Sequence, residues 1–160
     1  MADDATPRRS PADTTLLLDV MLGKLATYLR MCGYDAAYAL DRGIEADDEL
    51  AELARDEDRL LVTRDAQLAD RSEGLLLESK PVTDQLRELA DEGFALELSE
   101  PSRCAECNEE LIAVTADEKT PEYAPAPADG RFRVWRCPNY GKHFWKGSHW
   151  DSVAETLREL

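Results

Sequence analysis

Three short apolar runs constrain this chain most: LLL at 16–18, LLV at 60–62 and LLL at 75–77. A strand with no polar alternation needs cover on both faces, which points to a parallel sheet between helical layers. The segments after each run supply that cover. Leu22, Leu25, Leu29 and Cys32 recur at helical spacing, with Ala26 beside them and Gly33 as the stop. DAAYAL (35–40) reads as a second strand and Asp41-Arg42-Gly43 as a turn. ADDELAELARDED reads as a helix with Leu50, Leu53 and Ala54 on one face, and RLLVT (59–63) as the third strand. DAQLADR is a short helix and GLLLES (74–79) a fourth strand. PVTDQLRELADEG is a helix with Pro81 at its start and Gly93 past its end. Strands alternating with helices predict an α/β fold built on a parallel sheet.

The texture changes near Pro101, where Pro, Cys, aromatic and Arg residues replace the Leu/Ala/Asp/Glu pattern. We therefore divide the chain into a disordered acidic tail (1–13), an α/β domain (14–98), a small C-terminal module (99–150) and a closing helix (151–160). No apolar stretch is long enough to span a bilayer and the first residues have no apolar leader core, so a cytoplasmic protein without a membrane partner is expected. The net charge of −15 makes a soluble, self-repelling surface. Acids spread along the whole chain fit adaptation to a halophilic, high-salt cytoplasm, where they are screened.

In parallel α/β sheets, ligands bind beyond the carboxyl ends of the strands. Asp19 ends the first predicted strand and Asp65 follows the third. Asp47 and Asp48 open the second helix on the same edge. Such oxygen donors suit Mg²⁺ or Mn²⁺, which activate water and stabilise charge on a phosphate. Asp is also a common helix N-cap, and Asp47, Asp48 and Asp65 all precede helical patterns, so each taken singly reads first as a cap, while Asp19, Asp47 and Asp65 taken jointly on one edge read as a metal site. The Asp-x-Asp of one phosphatase class and the G-x-G-x-x-G of dinucleotide sites are absent after the first strand.

LLLDVMLGKLATYLRMCGYD, DDELAELA, RLLVTRDAQL, RCAECN and FWKGSHW, in that order, resemble the Mut-seven C-terminal RNase domain family over residues 14–152. The resemblance implies a PIN-like nuclease domain with an appended zinc ribbon, and a metal-dependent endoribonuclease. Its acids map onto Asp19, Asp47 and Asp65, with Asp48 the alternative to Asp47. Lys24, near the site edge on the first helix, and Arg64 are candidate phosphate contacts; the plain reading makes Lys24 a solvated side chain and Arg64 a surface salt bridge.

Cys104-Ala105-Glu106-Cys107 is half of a zinc knuckle. The second half reads Cys137-Pro138-Asn139-Tyr140, with Tyr140 where the family has Cys. Either His143 completes a Cys₃His Zn²⁺ site or the metal is lost and aromatics hold the ribbon. Arg133, Arg136 and Lys146 lie among Phe132, Trp135, Phe144, Trp145 and Trp150. Cations mixed with aromatics suit single-stranded RNA, while a plain reading puts most of these aromatics in the ribbon's own core. Two functions are therefore open: a metal-dependent ribonuclease whose ribbon holds RNA, or a non-catalytic RNA- or ribosome-binding protein. Protein partners are not legible.

Overall fold

The structure is a computed structural model that describes residues 9–98 and 100–160. The expected tail thus falls partly outside the described residues. From Arg9 onward the chain lies against the body, where Arg9 N–H donates to Gly93 O and Arg9 O accepts from Ala95 N–H.

The α/β pattern is borne out. In chain order the first domain runs β1 (Thr15–Leu18), α1 (Gly23–Met31), β2 (Asp35–Tyr38), a 3-10 turn (Ala39–Arg42), α2 (Asp47–Asp56), β3 (Leu60–Thr63), α3 (Ala66–Ser72), β4 (Leu75–Leu76) and α4 (Val82–Asp91). The sheet is parallel with order β2-β1-β3-β4. The pleat sorts the apolar runs onto two faces. Leu16, Leu18 and Val62 pack with Leu25 and Leu29 of α1 and Leu86 and Leu89 of α4. Leu17 and Leu61 pack with Leu50 and Ala54 of α2 and Leu68 of α3. Unbroken apolar runs are needed because both faces are covered.

The second module is a three-stranded antiparallel sheet of β5 (Ile112–Ala113), β6 (Trp135–Arg136) and β7 (His143–Phe144), followed by α5 (Ser148–Arg158). The closing helix starts before the expected residue 151, so His149 and Trp150 occupy its first turn. Val153 and Leu157 return to the core shared with α1 and α4, which docks the chain's end onto the first domain.

A polar seam joins the two parts. Asn108, at φ +74, accepts from Ala36 N–H at 2.9 Å and donates to Asp35 Oδ1 at 2.7 Å. It thereby caps the open edge of β2, which would otherwise offer unpaired backbone groups. Arg30, only 3% exposed, donates to Ala36 O at 2.8 Å and Ala105 O at 3.2 Å.

Candidate active edge and cysteine cluster

β1 leads through α1 to β2 on one side, and β2 leads through α2 back past β1 to β3 on the other. The strand order therefore reverses between β1 and β3. This switch point is where α/β sheets open a crevice for ligands. Asp19 directly follows β1 and Asp65 lies two residues beyond Thr63, the last residue of β3.

The register explains their local geometry. Leu18 is level with Val62, and Asp19 N–H continues the ladder by donating to Val62 O at 3.0 Å. Asp19 and Thr63 are then neighbours on the α2/α3 face. Thr63, fully buried, donates its hydroxyl to Asp19 Oδ2 at 2.7 Å. Val20 N–H donates to Asp19 Oδ1 at 2.7 Å. Asp19 is 6% exposed, so these two donors stabilise a carboxylate that burial alone would disfavour.

Asp65 is the N-cap of α3. Its Oδ1 accepts from Gln67 N–H at 2.9 Å and Leu68 N–H at 3.3 Å, leaving Oδ2 for another partner. Asp65 N–H in turn donates to Thr63 Oγ1 at 3.0 Å. The capping role open to Asp65 is thus realised, while Asp47 and Asp48 lie inside the first turn of α2, whose N-cap is Ala46 without a side-chain bond. Asp47 is half-buried; Asp48 is exposed and ion-paired with Arg71. The Arg71 pKa is raised by the hydrogen bond and charge of Asp48 first and then by the charges of Asp47 and Asp65. One guanidinium therefore sits within the field of all three acids.

The acids share an edge without closing on one point. Among the described residues, the cysteines alone form a group of three or more potential ligands with all donor atoms within 4.8 Å. Mg²⁺ does not require such a cage, since it is commonly held by one or two carboxylates, water and substrate phosphate.

Lys24 is exposed in the first turn of α1, close after Asp19 in the chain. Arg64 follows the pleat to the opposite face from Asp19. Burial pushes the nearby Glu88 carboxyl of α4 up, but hydrogen bonds from Glu78 and Ser79 outweigh it, and the Arg64 charge adds a smaller lowering. Arg64 Nε is buried without a hydrogen-bond partner. Tyr38 was not anticipated: it donates its hydroxyl to Val20 O at 2.5 Å, steadying the turn after Asp19.

In the ribbon, Cys104, Cys107 and Cys137 bring their sulfurs together, with Cys107 Sγ to Cys137 Sγ at 3.4 Å. Tetrahedral zinc with bonds of about 2.3 Å separates sulfurs by roughly 3.8 Å, so the donor set fits the ion. Burial pushes the Cys104 thiol up to about 12 against the backbone N–H groups of Glu106 and Cys107. Burial also pushes Cys137 up, but the Tyr140 N–H, the Cys107 thiol and the Asn139 N–H outweigh it and its pKa is lowered.

His143, one of the two alternatives for completing the site, is not part of this cluster. Neither ring nitrogen of His143 joins the three sulfurs within 4.8 Å. The left-handed Gly141, at φ +71, turns the chain directly into β7, where His143 pairs with Arg136. The ring lies edge-on to Tyr123, with centroids 6.4 Å apart. The candidate RNA contacts of the ribbon have partners of their own. Arg133 pairs with Glu100 at 3.1 Å and lies 5.1 Å over Trp135. Arg136 pairs with Glu118 at 3.4 Å, and Lys146 lies 5.8 Å over Trp150.

A model of the Mut7-C RNAse domain matches residues 14–157, covering the sheet domain and the ribbon together. No curated protein and no solved structure matches the chain. Among the described residues, no helix is long and apolar enough to cross a membrane.

Proposed function

The chain belongs to the Mut7-C RNAse domain family, and from that premise we propose that it is a divalent-metal-dependent endoribonuclease. The observation that carries this reading is the buried Asp19 carboxylate at the sheet's switch point, fixed by Thr63 to the strand that delivers Asp65. A carboxylate with no lysine or arginine bonded to it is an uncommon thing to bury unless an outside cation uses it. Asp19, Asp47 and Asp65 would hold Mg²⁺ or Mn²⁺, with Asp48 the alternative to Asp47. Such an ion supplies an activated water and neutralises charge developing on the scissile phosphate.

The chain's own residues do the rest. Thr63 holds the Asp19 carboxylate in one orientation, and the α3 cap engages Asp65 through Oδ1, which leaves Oδ2 for the ion. Lys24 on the same edge contacts substrate phosphate. The RNA partner is held by Arg133, Arg136 and Lys146, while Arg64, on the far face, is the weakest of the proposed contacts. The three cysteines hold Zn²⁺ as a structural ion that braces the ribbon against β2.

The rival reading is a non-catalytic RNA- or ribosome-binding protein, favoured by the half-exposed aromatics of the ribbon. Incubating the chain with a generic single-stranded RNA across a salt series, with Mg²⁺, Mn²⁺ or neither, separates the two. Cleavage that appears with the divalent ion and disappears in Asp19→Asn supports the nuclease. RNA binding with intact RNA under every condition supports the rival.

A further inference from the structure

The sequence placed most ribbon aromatics in a small core, and the structure does not. Trp135 is buried there, but Tyr123 is 56% exposed, and Phe144, Trp145 and Trp150 are half-buried. They border a cavity of about 480 Å³ between the ribbon and α1, closed on the α1 side by Thr27 and Met31. That volume lies in the range of small-molecule sites.

We propose that this cavity receives one unstacked nucleobase of a single-stranded RNA, a reading that rests on RNA being the substrate. Tyr123 and Trp145 lie with centroids 6.1 Å apart and planes inclined by 32°, so they offer two neighbouring ring faces to a flat, polarisable guest. Bases stack on such faces irrespective of sequence. Gly147 leaves room for Trp145 in this position: a Cβ on it would lie 2.5 Å from the indole nitrogen.

Charge selects a polyanion. Lys146 lies 5.8 Å over Trp150, and Lys142 lies 5.8 Å over Phe144 while pairing with Glu106 at 2.5 Å. Among the described residues, one unpaired and one acid-paired cation thus flank the aromatic wall in a chain of net charge −15. On such a surface a phosphate backbone is repelled except where cations gather. A base in the cavity with its phosphate beside Lys146, and the next one exchanging with Glu106 at Lys142, satisfies both features.

The position adds a constraint. α1 begins at Gly23 beside Asp19, and the cavity touches it at Thr27 and Met31. At 1.5 Å per residue, Lys24 to Met31 is roughly 10 Å along one helix. A strand anchored by a base in the cavity therefore reaches the acidic edge within a few nucleotides. The ribbon sets which phosphodiester lies at that edge.

The test uses the full zinc-loaded chain without added Mg²⁺ or Mn²⁺, so that binding is read apart from cleavage. The probes are a short end-labelled oligouridylate, an abasic ribose-phosphate oligomer of equal length, and uridine monophosphate as competitor. Tyr123→Ala and Trp145→Ala should each weaken oligouridylate binding about tenfold, in line with the loss of one stacked base, while leaving the weaker abasic binding unchanged. Tyr123, largely exposed, is the variant that keeps the test valid if Trp145→Ala melts early, and Trp145→Phe should restore affinity.

Equal binding by wild type and both variants overturns the proposal. So does a loss that is as large for the abasic oligomer. Uridine monophosphate that binds as tightly as the oligomer overturns RNA as the guest in favour of a free nucleotide. The nuclease reading is scored separately by cleavage with Mn²⁺. Unaltered variant binding beside normal cleavage refutes the cavity alone, and the expected binding pattern without cleavage refutes the nuclease alone.

Discussion

The Thr63 hydroxyl donates to Asp19 Oδ2 at 2.7 Å and accepts the Asp65 N–H at 3.0 Å. One buried side chain thus links two acids that lie 46 positions apart by their numbers (65 − 19). The link follows from the parallel register, which sets Asp19 level with Thr63 on the same face.

Thr63→Val keeps the shape and removes both bonds. Asp19 then keeps one donor, Val20 N–H, at a site that water scarcely reaches. The expected loss of stability is about 1.5–3 kcal/mol, the usual range for a hydrogen bond to a charged group, measured by denaturant unfolding. Cleavage should fall as well, because the Asp19 carboxylate is free to turn. Thr63→Ser should restore both properties, and a fully active, fully stable Thr63→Val would remove Thr63 from the site.

Asp65 combines a cap with the proposed metal contact, and two substitutions separate these roles. Asn caps helices about as well as Asp, so Asp65→Asn should melt close to wild type yet lose Mn²⁺-dependent cleavage. Asp65→Ala should lose cleavage and, in addition, about 1 kcal/mol of stability. Wild-type cleavage by Asp65→Asn would show that the residue is a cap only.

The acidic edge was legible because its signals are local: an apolar run, then an acid, then a helical pattern. What escaped depends on contacts far along the chain. Nothing near Arg30 in the sequence signals burial, yet it is buried, with the carbonyl of Ala105, 75 residues away, against its guanidinium. His143 stood three residues after Tyr140, close enough by spacing to be a ligand. The strand pairing that turns it toward Tyr123 comes from the path after Gly141, which spacing does not encode. The ribbon aromatics misled in the same way, since short strands with two faces need a second layer to bury both, and the sequence did not show that α1 leaves a cavity there.

Acid should weaken the fold partly through Glu57. Its carboxyl is held down from 4.5 to about 2, first by the Arg42 hydrogen bond and then by that of Arg59. A carboxyl with a depressed folded-state pKa contributes stability that is fully present above its unfolded value and lost as pH falls through its folded value. The contribution should therefore disappear between about pH 4.5 and pH 2. Asp35 acts in the same sense: burial pushes it up, but Arg59 and Asn108 hold it below its usual value. Unfolding free energies measured across that window should fall more steeply for wild type than for Glu57→Gln. Parallel curves would show that the Glu57 pairs with Arg42 and Arg59 are too screened to matter.

The final prediction concerns the missing fourth sulfur. In the first knuckle, the N–H groups of Glu106 and Cys107 face the Cys104 sulfur. In the second, those of Asn139 and Tyr140 face the Cys137 sulfur. The two turns are built alike, and Tyr140 holds the position that Cys107 holds in the first. Its side chain is 70% exposed, so shortening it removes no core packing. Tyr140→Cys should set a fourth thiolate beside the other three, and zinc binds such a closed tetrahedral set as a structural ion. Competition against a chelating dye should show tighter zinc binding in Tyr140→Cys than in wild type, together with a higher melting temperature, since metal affinity adds to folding stability. His143→Ala should hold zinc as wild type does, because its ring lies apart from the three sulfurs, whereas Cys107→Ser should release it. If His143→Ala releases the metal and Tyr140→Cys does not tighten it, the fourth donor is the histidine after a rearrangement of β7, and the likeness of the two turns does not extend to their ligands.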